Sequence, residues 1–124
     1  VLEEIYNFAN KKLNLQAMIY FSDHATVPDK RRQPDFSGFA TVRIPMFVYL
    51  SENYQLQNPV VSANLRNNIS KPFTNDLIYD LICNIIDISS NHFDQSQSIA
   101  SSNYRFNKDT LTTNLGRTPL SKDL

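Results

Sequence analysis

Ala17-Met18-Ile19-Tyr20-Phe21-Ser22-Asp23-His24 is the stretch whose reading decides the fold. Its first five residues form a continuous apolar run between Gln16 and Ser22. A run of that length without alternation predicts a strand buried on both faces, of the parallel, central type, rather than an edge strand showing one face to water. A carboxylate and an imidazole follow at once. In open α/β sheets, ligands gather beyond the carboxyl ends of strands, so Asp23 and His24 are the first place to look for chemistry.

Upstream, residues 2–13 bring Leu2, Ile5, Tyr6, Ala9 and Leu13 to one side at helical spacing, with Glu3 and Glu4 in the first turn and Lys11 and Lys12 in the last. Those charges complement the helix dipole, and Asn14 is the expected stop. Downstream, periodicity vanishes from Ser22 to Arg43, a stretch holding Pro28, Pro34 and Gly38. Aperiodic loops of about 20 residues are uncommon in compact domains and tend to be functional or disordered. Ile44 to Leu50 reads as a second buried strand, with Pro45 near its start where a missing N–H does least harm. Pro59 opens a short helix over 59–69. The clearest helix is 74–88, with Leu77, Ile78, Leu81, Ile82, Ile85 and Ile86 as its apolar stripe, Asn75, Asp76, Asp80, Asn84 and Asp87 opposite, and Thr74 as N-cap. After Ser89 the chain turns polar, with apolar anchors at Ile99, Tyr104, Phe106, Leu111 and Leu115, and is expected to lie as an irregular tail on the body.

The order helix, strand, loop, strand, helix, helix indicates an α/β layer structure. Two strands make a poor sheet, so further strands are expected upstream. The 124 residues, 41% of them hydrophobic, suit one domain or a piece of one. Twelve basic and twelve acidic side chains cancel, leaving no broad field to attract nucleic acid or an anionic bilayer. Cys83 sits among apolar residues and is expected to be a buried structural thiol; as the single cysteine it forms no internal disulfide. No apolar run approaches the roughly 18 to 20 residues that span a bilayer, so the chain itself is expected to be soluble. It opens at Val1 directly into a helical pattern, which suggests a cut end of a longer protein.

Asp23 and His24 can both turn toward one cation, and zinc accepts an oxygen and nitrogen pair of this kind. The dipeptide alone reads first as a chance pair at a strand end. Lys30, Arg31 and Arg32, in the loop that follows, read either as a solvated basic turn beside Asp29 and Asp35 or as contacts to a phosphate or sulfate group, which guanidinium groups suit. His92 is expected to be exposed, Tyr20, Phe21, Phe47 and Tyr49 to be core, and Asn68-Ile69-Ser70 satisfies the glycosylation pattern.

Three blocks occur in one order. Ile19-Tyr20-Phe21-Ser22-Asp23-His24 resembles the hydrophobic-(Ser/Gly)-Asp-His motif of sulfatases and phosphoethanolamine transferases of the alkaline phosphatase superfamily. Arg43-Ile44-Pro45-Met46-Phe47-Val48-Tyr49-Leu50-Ser51 is similar to the family's following strand, and Thr74 to Ile88 to its later helix. The resemblance covers roughly residues 1–90 and implies an alkaline phosphatase-like α/β/α sandwich, of which this chain is the C-terminal portion with an incomplete sheet; 91–124 would be the tail packed on it. It implies that Asp23 and His24 hold one zinc ion, that a second metal is open, and that the nucleophile lies upstream. The family pattern has glycine and often glutamate after the histidine, where this chain has Ala25 and Thr26, and a later histidine that has no counterpart between Val27 and Arg43.

By that resemblance the whole protein is a transferase carrying phosphoethanolamine from a phospholipid to a cell-surface glycan or lipid. It would be held in a bacterial inner membrane by preceding helices, with its catalytic domain outside the cytoplasm. The alternatives are a sulfate or phosphate ester hydrolase of the same superfamily, and a non-catalytic module that has lost its site. The fragment alone is expected to be inactive; its self-association is left open.

Overall fold

The computed structural model describes residues 1–25, 43–113 and 118–122. Helix α1 (Leu2–Leu13) ends at Asn14, whose φ of 52° is a left-handed geometry that asparagine tolerates better than most residues. No residue of α1 is buried, and Ile5, Phe8 and Leu13 are exposed. Its placement rests on a few contacts, among them the Tyr6 ring standing edge-on to Tyr49 with centroids 5.1 Å apart.

Strands β1 (Ala17–Tyr20) and β2 (Phe47–Leu50) pair in register from Ala17 opposite Leu50 to Tyr20 opposite Phe47. The pairing is antiparallel, which corrects the expectation of a parallel strand. An uninterrupted apolar run reports cover on both faces and carries no information on strand direction. All four residues of β1 are indeed half-buried, with no alternation. On one face Ala17, Ile19, Val48 and Leu50 meet the core, and on the other Met18 and Tyr49 line a shallow hollow with Leu2 and Tyr6 of α1. Phe47 is 40% and Phe21 42% exposed, so these two aromatics are not core. Tyr20 stacks on Phe47 at 5.2 Å between centroids, a cross-strand pair on a partly solvated face.

Helix α2 (Glu52–Gln57) was not foreseen. Ser51 starts it, its Oγ accepting the Tyr54 N–H at 3.0 Å. Pro59 opens α3 (Pro59–Asn67) as expected. A 3-10 turn, Asn75–Leu77, then runs into α4 (Ile78–Ile85). Thr74 stands ahead of that turn, but its side chain caps nothing. The helix closes earlier than periodicity suggested because Asp87 takes φ 53° and Ile88 N–H turns back to the Cys83 carbonyl at 2.9 Å.

The apolar stripe is also corrected. Leu77, Leu81 and Ile85 are buried, with Leu81 fully so, whereas Ile82 and Ile86 are 39% and 54% exposed. Asp80, expected on the solvent face, is buried, and its carboxylate accepts the Asp94 N–H at 2.8 Å. The tail after α4 covers that side of the helix. It supplies Ile99, Ala100, Tyr104 and Leu111 to the same core as Tyr54, Leu77, Leu81 and Ile85. Two asparagines tie it down: the buried Asn68 donates through Nδ2 to the carbonyls of Ile99 and Ser101, both at 2.9 Å, and the half-buried Asn64 donates through Nδ2 to Ala100 at 3.1 Å. A buried Asn68 with both amide protons engaged is no acceptor for a glycan in the folded protein. A short hairpin, β3 (Thr112–Thr113) with β4 (Thr118–Pro119), follows. Among the described residues no helix is long and apolar enough to cross a membrane.

Candidate metal centre

β1 ends at Tyr20, and the chain leaves it through Phe21 and Ser22 to Asp23 and His24. The turn is held from within and from across the fold. His24 N–H donates to Asp23 Oδ1 at 3.0 Å, and Ser22 Oγ donates to the His24 carbonyl at 2.9 Å. Asn75 Nδ2 donates to the Ser22 carbonyl at 2.8 Å. Asn75 was expected to face solvent; it is half-buried, because the 3-10 turn ahead of α4 carries it against the end of β1.

The two candidate ligands point toward each other. Asp23 Oδ2 lies 3.5 Å from His24 Nε2, with the carboxylate side chain 87% and the imidazole 50% exposed. His24 Nδ1 lies 3.2 Å from the Ala25 carbonyl. When Nδ1 carries the proton it donates to that oxygen, leaving the Nε2 lone pair directed outward; ligand histidines are oriented in this manner by a backbone carbonyl. Two atoms bound to one tetrahedral zinc at about 2.0 to 2.1 Å stand about 3.3 Å apart. The spacing of Oδ2 and Nε2 fits that geometry with little movement. It equally suits an Asp–His ion pair when the imidazole is protonated.

Asp23 Oδ1 is engaged by the His24 N–H and also lies 3.4 Å from the Ser22 hydroxyl, so Oδ2 is the freer oxygen. Among the described residues no group of three or more His, Cys, Asp and Glu side chains comes together. Two donors are therefore what this part of the chain brings to a cation. Lys30, Arg31, Arg32 and Asp35 lie outside the described residues. Cys83 is buried in α4 and His92 is exposed, as their neighbours in sequence suggested.

A cleft lies elsewhere on the sheet, between β2, α3 and the segment leading to Asn75. It has a volume of about 670 Å³ and walls that include Met46, Val48, Leu65 and Phe73. Asn75 borders this cleft while bonding to Ser22, which places the cleft beside the Asp23–His24 turn. Comparison with known protein families, curated proteins and solved structures finds no match for the chain.

Proposed function

We propose that Asp23 and His24 are zinc ligands of a phosphoethanolamine transferase of alkaline phosphatase type, and that this chain forms the C-terminal part of its catalytic domain. The observation that carries the reading is the pair itself: a carboxylate oxygen and an imidazole nitrogen 3.5 Å apart, immediately beyond the carboxyl end of a sheet strand. In the tautomer with the proton on Nδ1, Nε2 and Asp23 Oδ2 would set two lone pairs against each other at that distance, and a shared cation relieves the repulsion. Bound zinc supplies Lewis acidity to a phosphoryl oxygen and lowers the pKa of a nucleophile near it. This chain's own work is to hold Oδ2 and Nε2 at ligand spacing, with Ser22, Ala25 and Asn75 fixing the turn around them. Lys30, Arg31 and Arg32, following in sequence, are the cations proposed to meet the phosphate of a lipid donor, with a cell-surface glycan or lipid as acceptor. The catalytic domain would stand outside the cytoplasm of a bacterium, anchored by helices earlier in the protein.

The test uses the full-length protein, with zinc measured by elemental analysis and transfer followed from labelled phosphatidylethanolamine. Asp23→Asn and His24→Ala are each expected to lower zinc affinity tenfold or more and to abolish transfer. Zinc content and transfer that survive both substitutions would return the pair to an ordinary surface ion pair.

A further inference from the structure

The pairing of β1 with β2 determines which backbone groups of β2 face away from β1. Ser51 N–H donates to the Gln16 carbonyl at 2.9 Å, and the register continues through Met18 opposite Tyr49 to Tyr20 opposite Phe47. In an antiparallel pair, residues that exchange hydrogen bonds alternate with residues that do not. With Gln16 and Ser51 bonded, Tyr49 and Phe47 are the β2 residues bonded to β1. Val48 and Leu50 direct their N–H and C=O to the opposite edge.

The Leu50 carbonyl accepts Gln55 Nε2 at 2.9 Å. The Val48 N–H and C=O and the Leu50 N–H have no partner among the described residues, although both residues are half-buried. Such groups are costly to leave unpaired and offer a template for another strand. This edge borders the 670 Å³ cleft, whose remaining walls are largely apolar. Among the described residues, the charged side chains lining the cleft are Arg66 and Lys71, with no carboxylate. Arg66 Nη2 donates to Gln55 Oε1, so the glutamine that satisfies the Leu50 carbonyl also holds the guanidinium beside the edge.

We infer that the cleft beside β2 receives an extended peptide segment as a third strand, one combining apolar residues with carboxylate side chains. The main chain of the segment pairs with Val48 and Leu50, its apolar side chains enter the cleft, and its carboxylates meet Arg66 and Lys71. A second copy of this chain would oppose like charges across the same edge. A single-chain amphiphile with an anionic head matches the charge and the apolar walls but leaves the edge amides unpaired. The inference does not depend on the metal reading.

A displayed library of random twelve-residue peptides, panned against the 124-residue chain, tests it. The expected winners alternate apolar residues and carry Asp or Glu, and their synthetic forms slow amide exchange at Val48 and Leu50. Val48→Pro removes an outward N–H while leaving the β1 ladder, to which that N–H contributes nothing, and should weaken peptide binding tenfold or more. Arg66→Glu should do likewise, and a circular dichroism spectrum checks that each variant folds. Asp23→Ala should leave peptide binding unchanged. Enrichment of no sequence class, indifference to Arg66→Glu, or unaltered exchange at Val48 and Leu50 each overturns the inference. Binding of dodecyl phosphate without binding of any peptide would assign the cleft to an amphiphile.

Discussion

Asn75 Nδ2 donates to the Ser22 carbonyl oxygen at 2.8 Å, joining the turn ahead of α4 to the residue before Asp23 across 53 positions of sequence. The bond is part-buried, and an intramolecular hydrogen bond of this kind contributes about 0.5 to 1.5 kcal/mol. Asn75→Ala is expected to lower stability by about 1 kcal/mol in urea unfolding. It should also speed amide exchange at Asp23 and His24 more than at Met18 or Tyr49. Equal acceleration in the turn and the strand would mean that Asn75 supports the fold generally and does not position the turn.

Two donors make a weak zinc site, since catalytic zinc usually has about three protein ligands and structural zinc four. The 124-residue chain alone should therefore bind zinc more weakly than micromolar and show no ester turnover or phosphoethanolamine transfer. Calorimetric titration with zinc decides this. Tight stoichiometric binding would mean that the chain completes a coordination sphere without any further segment.

Asn68, at the C-terminal end of α3, links that helix to the tail, its buried side-chain amide serving both the Ile99 and the Ser101 carbonyl. Asn68→Ala leaves two acceptors in a dry environment, each costing about 1 to 3 kcal/mol. A loss of about 2 to 4 kcal/mol is expected in denaturant melts. Asn68→Asp should be as damaging, since a carboxylate has no proton to donate to either carbonyl. Ser102→Ala, at an exposed neighbouring position of the tail, should change stability by less than about 0.5 kcal/mol.

Asp94 is expected to contribute to the acid dependence of stability. The Ser96 hydroxyl and N–H and the Gln97 side-chain amide donate to its carboxylate, and Arg105 lies 3.6 Å away; these hold its pKa below the ordinary carboxylate value. A folded pKa below the unfolded one means that the unfolded chain binds protons first on acidification. The stabilisation is present above about pH 4, the unfolded carboxylate value, and is lost as pH falls through the lower folded value. Asp94→Ala should therefore be less stable at neutral pH and show a shallower decline between about pH 5 and pH 2. A decline as steep as in the unaltered chain would move the acid sensitivity to another carboxylate.

The ends of the protein's simplest helix were legible in its sequence. α1 runs from Leu2 to Leu13 and stops at Asn14 because charge placement, spacing and a left-handed stop are local properties of a dozen residues. Pro59 as the first residue of α3, the strand before Ser22 and the burial of Cys83 were readable for the same reason. The nearness of Asp23 to His24 also follows from adjacency. Less legible was α2, whose start depends on a single serine cap and whose six residues carry too few apolar positions to show a period. The phase of α4 was misread because a 3-10 turn precedes it and because the tail, not the sheet alone, covers its Asp80 side.

Sequence by itself thus determined the bounds of α1, the first residue of α3, the apolar run that forms β1, and that a carboxylate and an imidazole follow a strand. Tertiary structure alone decided that β1 and β2 run antiparallel, that Asp80 turns inward to Asp94, that Asn68 clamps the tail, and that Asn75 braces the turn at Ser22. The physical reason is common to the last three of these. Each is a bond between a side chain and a main-chain N–H or C=O, groups that nearly every residue possesses. No residue type marks the partner, and only the packing of the remaining apolar surfaces selects which backbone group arrives.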